Sequence, residues 1–384
     1  MHATWSYPTQ IRSGVGRVAE IADACTEASI TKPLIVTDPG MVDLPPIRSV
    51  VSLLNEAGIE HRLFSDLRPN PVGRDVAAGA ERFQRGGHDG VIAIGGGSAL
   101  DVGKVVAFHA GQTRALWDFE DVDDWWTRAN PSAIAPIIAI PTTAGTGSEV
   151  GRAGLIIDEA RQRKVVVFHP QMLPTVVLAD PELTVSLPRM LTVGTGIDAL
   201  SHSLEAICSP AYHPMSHGIG MEGCRLVLEH LPTAVDSPTN LEARARMLTA
   251  AGMGAVAFQK GLGAMHALAH PVGAMFDTHH GMTNATLMPY VLIANRRAIE
   301  STVGRLAAYA GIAGGFEGFV DHIVTMRSSM DVPHTLVDLG VDPASVDFIA
   351  TAAVNDPSAT TNPIPVDADF AASIFEAACT GRLD

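Results

Sequence analysis

The hydrophobic pattern changes character once along this chain of 384 residues. Up to about residue 185, short apolar runs such as Pro33-Leu-Ile-Val-Thr37 and Gly90-Val-Ile-Ala-Ile94 alternate with stretches of helical periodicity. Such alternation is typical of a mainly parallel sheet that is covered by helices on both faces. After about Pro188, Ala, Leu, Met and Glu recur at three- and four-residue spacings, and no convincing strand is present. The pattern predicts an α/β domain over residues 1–185 and an all-α domain over residues 186–384.

Individual elements follow from the same pattern. Besides the two runs above, we expect strands at residues 61–64, 135–140, 154–157, 165–168 and 175–178. In the second domain we expect helices over residues 190–208, 213–231, 241–257, 283–297 and 301–310. Gly14-Val-Gly16 follows no clear strand, so we interpret it as a turn that opens the first helix. A cleft between two such domains is a preferred place for a small-molecule site.

Composition excludes several classes of partner. A formal net charge of −15 argues against a nucleic-acid or an anionic-membrane surface. No uninterrupted apolar segment approaches 18 residues, and the first residues lack the layout of a signal peptide. The cysteines are far apart and form no Cys-x-x-Cys pair, which fits reduced thiols: Cys25, Cys208, Cys224 and Cys379. We therefore expect a cytoplasmic protein with no nucleic-acid and no membrane partner.

Two glycine-rich segments follow predicted strands. Gly95-Gly-Gly-Ser98 stands between a strand and a helix, where unpaired N–H groups and the helix dipole favour an anion. It suits the pyrophosphate of a dinucleotide, although a tight turn would also use glycine. The loop Pro141–Glu149 suits a ribose, a phosphate or a nicotinamide amide, or is simply a polar surface loop. Asp38 ends the first strand and is either a ribose ligand that repels a 2′-phosphate or a turn residue.

Histidines are concentrated in one part of the second domain. His266 and His270 are four residues apart, as are Asp198 and His202, so that each pair would share one face of a helix. His280 follows after a short segment that contains Pro and Gly. One carboxylate with two or three imidazoles suits Fe²⁺, Zn²⁺ or a similar divalent ion. A lone Asp/His pair at this spacing is more often an ordinary hydrogen bond on a helix surface, and only the combination of the two pairs favours the metal. His279 is interpreted as a solvated bystander.

Taken together, these motifs resemble the iron-containing alcohol dehydrogenases, over nearly the whole length. The resemblance is carried by Pro69-Asn-Pro71, Gly95-Gly-Gly-Ser98, Pro141–Glu149, Gly196-Ile-Asp-Ala-Leu-Ser-His202, His266-Ala-Leu-Ala-His270, His280–Ala285 and Asn362-Pro-Ile-Pro365. It implies an N-terminal Rossmann-like domain and an all-α C-terminal domain, the dehydroquinate synthase-like fold. It implies four metal ligands, Asp198, His202, His266 and His280, and it places His270 beside the nicotinamide. It also implies cofactor contacts from Asp38, Gly96, Gly97, Ser98, Asp101, Thr142, Thr143, Thr146 and Lys164.

The expected activity is hydride transfer between a small alcohol and NAD, reversible toward the aldehyde or ketone. We expect one divalent metal, Fe²⁺ first and Zn²⁺ as the alternative, with His270 as the catalytic proton carrier and a hydroxyl near Thr146 as its substitute. The resemblance also implies a homo-oligomer, a dimer or larger. The alternatives are a hydroxyacid dehydrogenase, such as one for 4-hydroxybutyrate, a non-redox lyase of the dehydroquinate synthase type, or a nucleotide-binding protein without activity.

Two positions depart from the family pattern. Gly151 stands where threonine is usual, which would loosen one cofactor contact. Lys260 precedes the histidine cluster and would bind a substrate carboxylate if it faced the pocket, or would otherwise be an exposed surface cation.

Overall fold

The computed structural model describes residues 6–161 and 163–383, which form two compact units. The first unit is Tyr7–Ser186, and the second runs from Leu187 onward and includes Ser6. Among the described residues, no helix is both long and apolar enough to cross a membrane.

The first unit is built on a six-stranded parallel sheet. Its elements in chain order are β1 (Gln10–Ser13), α1 (Ile21–Glu27), β2 (Pro33–Val36), α2 (Pro45–Glu56), β3 (Arg62–Phe64), α3 (Gly73–Gly86), β4 (Gly90–Gly95), α4 (Gly97–His109), β5 (Ile137–Pro141), β6 (Ala153–Asp158), β7 (Arg163–Phe168) and β8 (Val176–Ala179). The strand order is β1-β8-β5-β4-β2-β3, and every pair in this sheet is parallel. Strands β6 and β7 form a separate antiparallel pair.

Both faces of the sheet are buried, which explains the continuous apolar runs in the sequence. Along β4, Val91 and Ala93 belong to one core cluster, and Ile92 and Ile94 belong to the other. Successive side chains of a strand point to opposite faces, so a strand covered on both sides needs apolar residues at every position. The predicted α/β architecture with helices on both faces is therefore confirmed.

Strand β1 contradicts one expectation. Gly14 follows β1 directly, whereas the sequence indicated no strand before it. The strand was missed because it is an exposed edge in which Ile11 keeps 42% of its surface accessible. Gly14 and Gly16 have φ angles of 140° and 79° and form a turn, which leads into the short 3₁₀ helix Arg17–Glu20 before α1.

The second unit is helical, and no strand occurs among its described residues. Its helices are α5 (Arg189–Cys208), α6 (Pro214–Asp236), α7 (Leu241–Ala257), α8 (Ala264–Phe276), α9 (His280–Tyr309), α10 (Gly315–Ser329), α11 (Val346–Val354) and α12 (Ala368–Thr380). The helices predicted over residues 283–297 and 301–310 are one continuous helix, α9, because the residues between them contain no Gly or Pro to end it.

Helix α8 also differs from expectation. Pro271 and Gly273, which looked like part of a linker, lie inside the helix. The helix continues to Phe276 and ends at Asp277, whose φ of 53° is left-handed. The connection between His270 and His280 is therefore mostly helical, and only residues 277–279 turn the chain into α9.

Candidate metal centre and glycine-rich loops

Three of the predicted metal ligands converge in the helical unit. Helix α5 carries Asp198 and His202 one turn apart on one face, and α8 carries His266. One potential ligand atom from each of the three residues lies within 4.8 Å of the others, and all three side chains are buried. The His202 and His266 rings are stacked with their centroids 4.8 Å apart. One carboxylate and two imidazoles are thus gathered in a water-poor place, where an unpaired charge is costly.

The fourth predicted ligand lies beside this group. His280 is the first residue of α9, and its Nε2 is 3.6 Å from Oδ1 of Asp198. Its ring centroid is 5.3 Å from that of His266. All four predicted ligands are therefore neighbours, brought together from α5, α8 and α9.

Asn284 shows that this group suits a cation. Its buried Nδ2 lies 2.9 Å from Oδ1 of Asp198, 3.3 Å from Nε2 of His266 and 3.2 Å from Nε2 of His280. Three atoms with lone pairs thus converge on one donor nitrogen, while Oδ1 of Asn284 is buried and has no hydrogen-bond partner. Convergent lone pairs of this kind are what a divalent metal requires. Asn284 is one turn after His280 on α9, a spacing that the sequence interpretation did not use.

Glu205 lies behind His266. Its Oε2 is 2.6 Å from Nδ1 of His266, and its Oε1 accepts a hydrogen bond of 2.7 Å from the backbone N–H of Met265. Burial raises the pKa of Glu205 to about 7 and lowers the pKa of His266 well below its usual value. Glu205 follows Asp198 by seven residues and His202 by three, on the same helix face, and this spacing is the signal that was overlooked.

His270 is adjacent to the group and has a different partner. Its ring stacks on that of His280 at a centroid distance of 5.4 Å, and its Nδ1 is 2.8 Å from Oδ2 of Asp356. Burial would raise the pKa of Asp356, but the hydrogen bonds from His270 and Ser358 hold it below its usual value. Asp356 is a further residue that sequence spacing did not indicate.

The structure contradicts the interpretation of Lys260 as an exposed surface cation. The side chain is only 7% exposed, so Lys260 is not a surface cation. Its Nζ donates to the carbonyl oxygens of Ala206, Ile207 and Ser209 at the end of α5. An ammonium group at this place satisfies carbonyls that a helix end leaves unpaired. Lys260 is therefore committed to capping α5, and a substrate carboxylate would have to replace those contacts.

His279 also has a structural partner. Its Nδ1 accepts a hydrogen bond of 3.4 Å from the backbone N–H of Met282, which makes His279 the N-cap of α9.

The first unit brings several of its predicted cofactor residues together at the carboxyl ends of β2, β4 and β5. The backbone N–H of Gly96 donates to Asp38, and burial raises the pKa of this carboxyl. A Cβ on Gly97 would lie 2.7 Å from Cγ2 of Thr146, and one on Gly96 would lie 3.5 Å from Thr143. The glycine turn, residues 95–98, and the threonine loop, residues 141–149, therefore pack against each other. Helix α4 begins at Gly97.

Other predicted cofactor residues have partners within the protein. The Asp101 carboxylate accepts hydrogen bonds from Oγ of Ser148 and from the N–H of Leu155. The hydroxyl of Ser98 donates to the carbonyl of Pro69. Thr142 is buried, and its N–H donates to the carbonyl of Gly95. Lys164 lies on β7, outside the six-stranded sheet. Asp38, Gly96, Gly97, Thr143 and Thr146 thus form the candidate cofactor cradle. Asp101 connects the threonine loop to α4 and β6.

Gly151 has room for a side chain. Its φ is −95°, and an added Cβ would meet only Nζ of Lys104 and the carbonyl of Ser148, both at 3.5 Å. The departure from the family pattern therefore leaves a gap beside a buried lysine and does not reflect a backbone that requires glycine.

This chain is similar to known proteins along nearly its whole length. A family model for iron-containing alcohol dehydrogenase matches residues 8–181, and a model for the C-terminal part of the Fe-containing alcohol dehydrogenase family matches residues 192–379. The 4-hydroxybutyrate dehydrogenase of Cupriavidus necator is 34% identical over 370 residues, which are 93% of this chain and 94% of the relative.

Solved structures agree. A 1,3-propanediol oxidoreductase superposes with a TM-score of 0.93 and 32% identity, covering 98% of this chain and 100% of the other. The sulfoacetaldehyde reductase of Bifidobacterium kashiwanohense, solved in complex with NAD⁺, gives a TM-score of 0.90 and 28% identity, with both chains fully covered. The chain belongs to the iron-containing alcohol dehydrogenase family of oxidoreductases.

Proposed function

We propose that this protein is a metal-dependent dehydrogenase that transfers a hydride between a small primary or secondary alcohol and NAD. The observation that carries the proposal is the convergence of Asp198, His202 and His266, with potential ligand atoms within 4.8 Å, in a chain of this family. The NAD complex of the sulfoacetaldehyde reductase supports the choice of cofactor.

The metal would be held by Asp198, His202, His266 and His280. When bound, the metal supplies Lewis acidity toward the substrate oxygen and NAD supplies the hydride acceptor. The protein shields this site from water, because His202 and His266 are buried, His280 is half-buried, and the ligands come from three packed helices. Water excluded from such a site strengthens electrostatic interactions within it. Fe²⁺ is our first choice of ion, and Zn²⁺ accepts the same ligand set.

The nucleotide would be held largely by backbone. Gly96 and Gly97 would let the pyrophosphate approach the N-terminus of α4, where unpaired N–H groups point outward. Asp38 would accept hydrogen bonds from the adenosine ribose and repel a 2′-phosphate, which favours NAD over NADP. The remaining proposed contacts come from Ser98, Asp101, Thr142, Thr143, Thr146 and Lys164.

His270 is the proposed proton carrier. Asp356 holds Nδ1 of the ring, which leaves Nε2 as the nitrogen that takes up or releases the proton of the alcohol. We expect His270→Ala to change both the rate and its pH dependence. An unchanged pH profile and rate would exclude His270 from the proton path.

Domain roles and assembly complete the proposal. Residues 1–185 would be the dinucleotide-binding domain and residues 186–384 the metal-binding catalytic domain, in agreement with the two matched family models. Four free cysteines support a reducing, cytoplasmic location. A homo-oligomer is proposed from the family resemblance, and sedimentation of the purified protein tests it.

The decisive experiment is NADH formation across a substrate panel. The metal-free protein is reconstituted separately with Fe²⁺ and Zn²⁺ and is assayed with neutral alcohols, diols and 4-hydroxybutyrate, each with NAD⁺. We expect metal-dependent turnover of at least one neutral alcohol. Turnover of 4-hydroxybutyrate alone would identify a hydroxyacid dehydrogenase, and no NADH with any substrate would refute the proposal.

A further inference from the structure

We infer that Glu205 is a positioning residue of the metal centre, which fixes the orientation and the tautomer of His266. The inference rests on the proposed metal-dependent function. Its basis is the 2.6 Å contact between Oε2 of Glu205 and Nδ1 of His266, two side chains that are 6% and 1% exposed. Glu205 itself would not bind the metal, because it stands on the far side of the imidazole ring.

The carboxylate is held at both oxygens. Oε1 accepts the N–H of Met265, so the carboxylate cannot turn away while Oε2 faces His266. When ionised, this carboxylate only accepts hydrogen bonds, so the proton of the neutral imidazole is then on Nδ1. The lone pair is then on Nε2, the nitrogen that lies 3.3 Å from the Asn284 amide, on the side of Asp198 and His280. The contact therefore selects the tautomer that can bind a cation.

Without this acceptor, the ring would lose both constraints. An imidazole with a proton on Nε2 cannot act as a ligand through that atom, and a ring without a partner at Nδ1 is free to rotate. Glutamine at position 205 has a similar shape but offers one acceptor oxygen where Met265 and His266 present two donors. One of these buried donors would then face an NH₂ group and be left unsatisfied.

A purely structural role for Glu205 has to be separated from this one. By accepting the Met265 N–H, Glu205 also caps the N-terminus of α8. Asn362 provides the matched control, because its Oδ1 accepts the N–H of Ala264 at 3.0 Å in the same first turn. Asn362 is buried as well, and its hydrogen bonds go to Ala264, Asn295 and Ile364 rather than to a proposed metal ligand.

The experiment compares metal affinity in the full-length protein. The wild type, Glu205→Gln, Glu205→Asp, Asn362→Ala and Asp198→Ala are stripped of metal, checked for folding by circular dichroism, and titrated with Co²⁺ against a chromogenic chelator. The visible d–d spectrum of bound Co²⁺ reports the ligand geometry. We expect Glu205→Gln to bind Co²⁺ about 10–100-fold more weakly, with an altered spectrum. Asn362→Ala should lower the melting temperature but change the affinity by less than about threefold.

Three outcomes would overturn the inference. Unchanged affinity and spectrum in Glu205→Gln would exclude positioning, and equal losses in Glu205→Gln and Asn362→Ala would reduce Glu205 to a helix cap. If Glu205→Gln does not fold, Glu205→Asp decides, since its shortened carboxylate should still weaken binding by about tenfold. Wild type that binds Co²⁺ no better than Asp198→Ala would instead refute the metal centre itself, and the role of Glu205 with it.

Discussion

The candidate site of the helical unit is built from side chains, whereas that of the α/β unit is built mainly from backbone groups. In the helical unit, the candidate site consists of buried or half-buried ionisable side chains from α5, α8 and α9, with Glu205 in contact with His266 and Asn284 in contact with Asp198. In the α/β unit, the site consists of backbone N–H groups, glycines and hydroxyls at the ends of parallel strands. The site in the helical unit depends on which ligand atoms its side chains offer. The site in the α/β unit depends on the space that its glycines leave beside the backbone. Removal of a ligand side chain should therefore damage the site in the helical unit, and addition of a side chain at a glycine should damage the site in the α/β unit.

The largest effect is expected from removing a metal ligand. Asp198→Ala and His266→Ala should each lose bound metal and lower kcat/KM by roughly 10³-fold or more, because the remaining donors cannot hold the ion or stabilise charge on the substrate oxygen. Metal content by mass spectrometry and steady-state kinetics measure both changes. His322→Ala, on α10, is the control. If both ligand variants keep metal and full activity, the site has been misassigned.

A single methyl group added at Gly97 should damage the candidate cofactor site of the α/β unit. In Gly97→Ala the new Cβ would lie 2.7 Å from Cγ2 of Thr146, so the threonine loop must move. Overpacking of this kind costs about 1–3 kcal/mol, which corresponds to a rise of roughly 10–100-fold in the KM for NAD⁺ if the cradle absorbs the strain.

The matched controls for Gly97 are available in the same loops. Gly96→Ala places its Cβ at an ordinary 3.5 Å from Thr143 and should strain the loop less, and the double variant Gly97→Ala with Thr146→Ser should recover part of the loss. Metal content should stay unchanged in all three proteins. A Gly97→Ala variant that loses metal but keeps its KM for NAD⁺ would reverse the division of roles between the two units.

The preference for NAD over NADP should depend on the negative charge of Asp38. Asp38→Gly removes the carboxylate that would repel a 2′-phosphate, so the ratio of kcat/KM for NADP⁺ over NAD⁺ should rise by about tenfold or more. Asp43→Gly, an exposed carboxylate nearby in the sequence, serves as the control. An unchanged ratio would exclude Asp38 from ribose recognition.

The last expected effect concerns the pH dependence of stability. Burial raises the pKa of Glu149 to about 7, against an ordinary value of 4.5. Between these two values the unfolded chain has released a proton that the folded chain retains, so stability should fall as pH rises from about 4.5 to 7 and stay low above. Glu149→Gln removes this titration and should stabilise the protein by about 1–3 kcal/mol at pH 8 but little at pH 4. Urea unfolding at both pH values measures the difference, and equal effects would contradict it.

The sequence predicted elements with two buried faces better than those at an edge. Strands β2 and β4 were predictable because they are buried and apolar along their whole length, whereas β1 is mostly exposed and gives no such pattern. The helical spacing of Asp198 and His202, and of His266 and His270, indicated a metal site, whereas the choice of the four ligands followed from the family resemblance.

The supporting residues of that centre were predictable only in part. Glu205 and Asn284 stand at helical spacing from His202 and His280, but their contacts with His266 and Asp198 span 61 and 86 positions. Asp356 lies 86 positions from His270 and has no such local signal. The interpretation of Lys260 as a surface cation was wrong because its carbonyl partners lie more than 50 residues earlier in the chain.

The pairing of β1 with β8 has a consequence for biosynthesis. Gln10 lies in register with Val176, so among the described strands β1 pairs only with β8, which is made near the end of the same unit. The growing chain must keep this segment unpaired while nearly all of the α/β unit is made. A chaperone that binds extended segments would find β1 accessible throughout that interval, and a nascent chain arrested before residue 176 should still expose it to proteolysis.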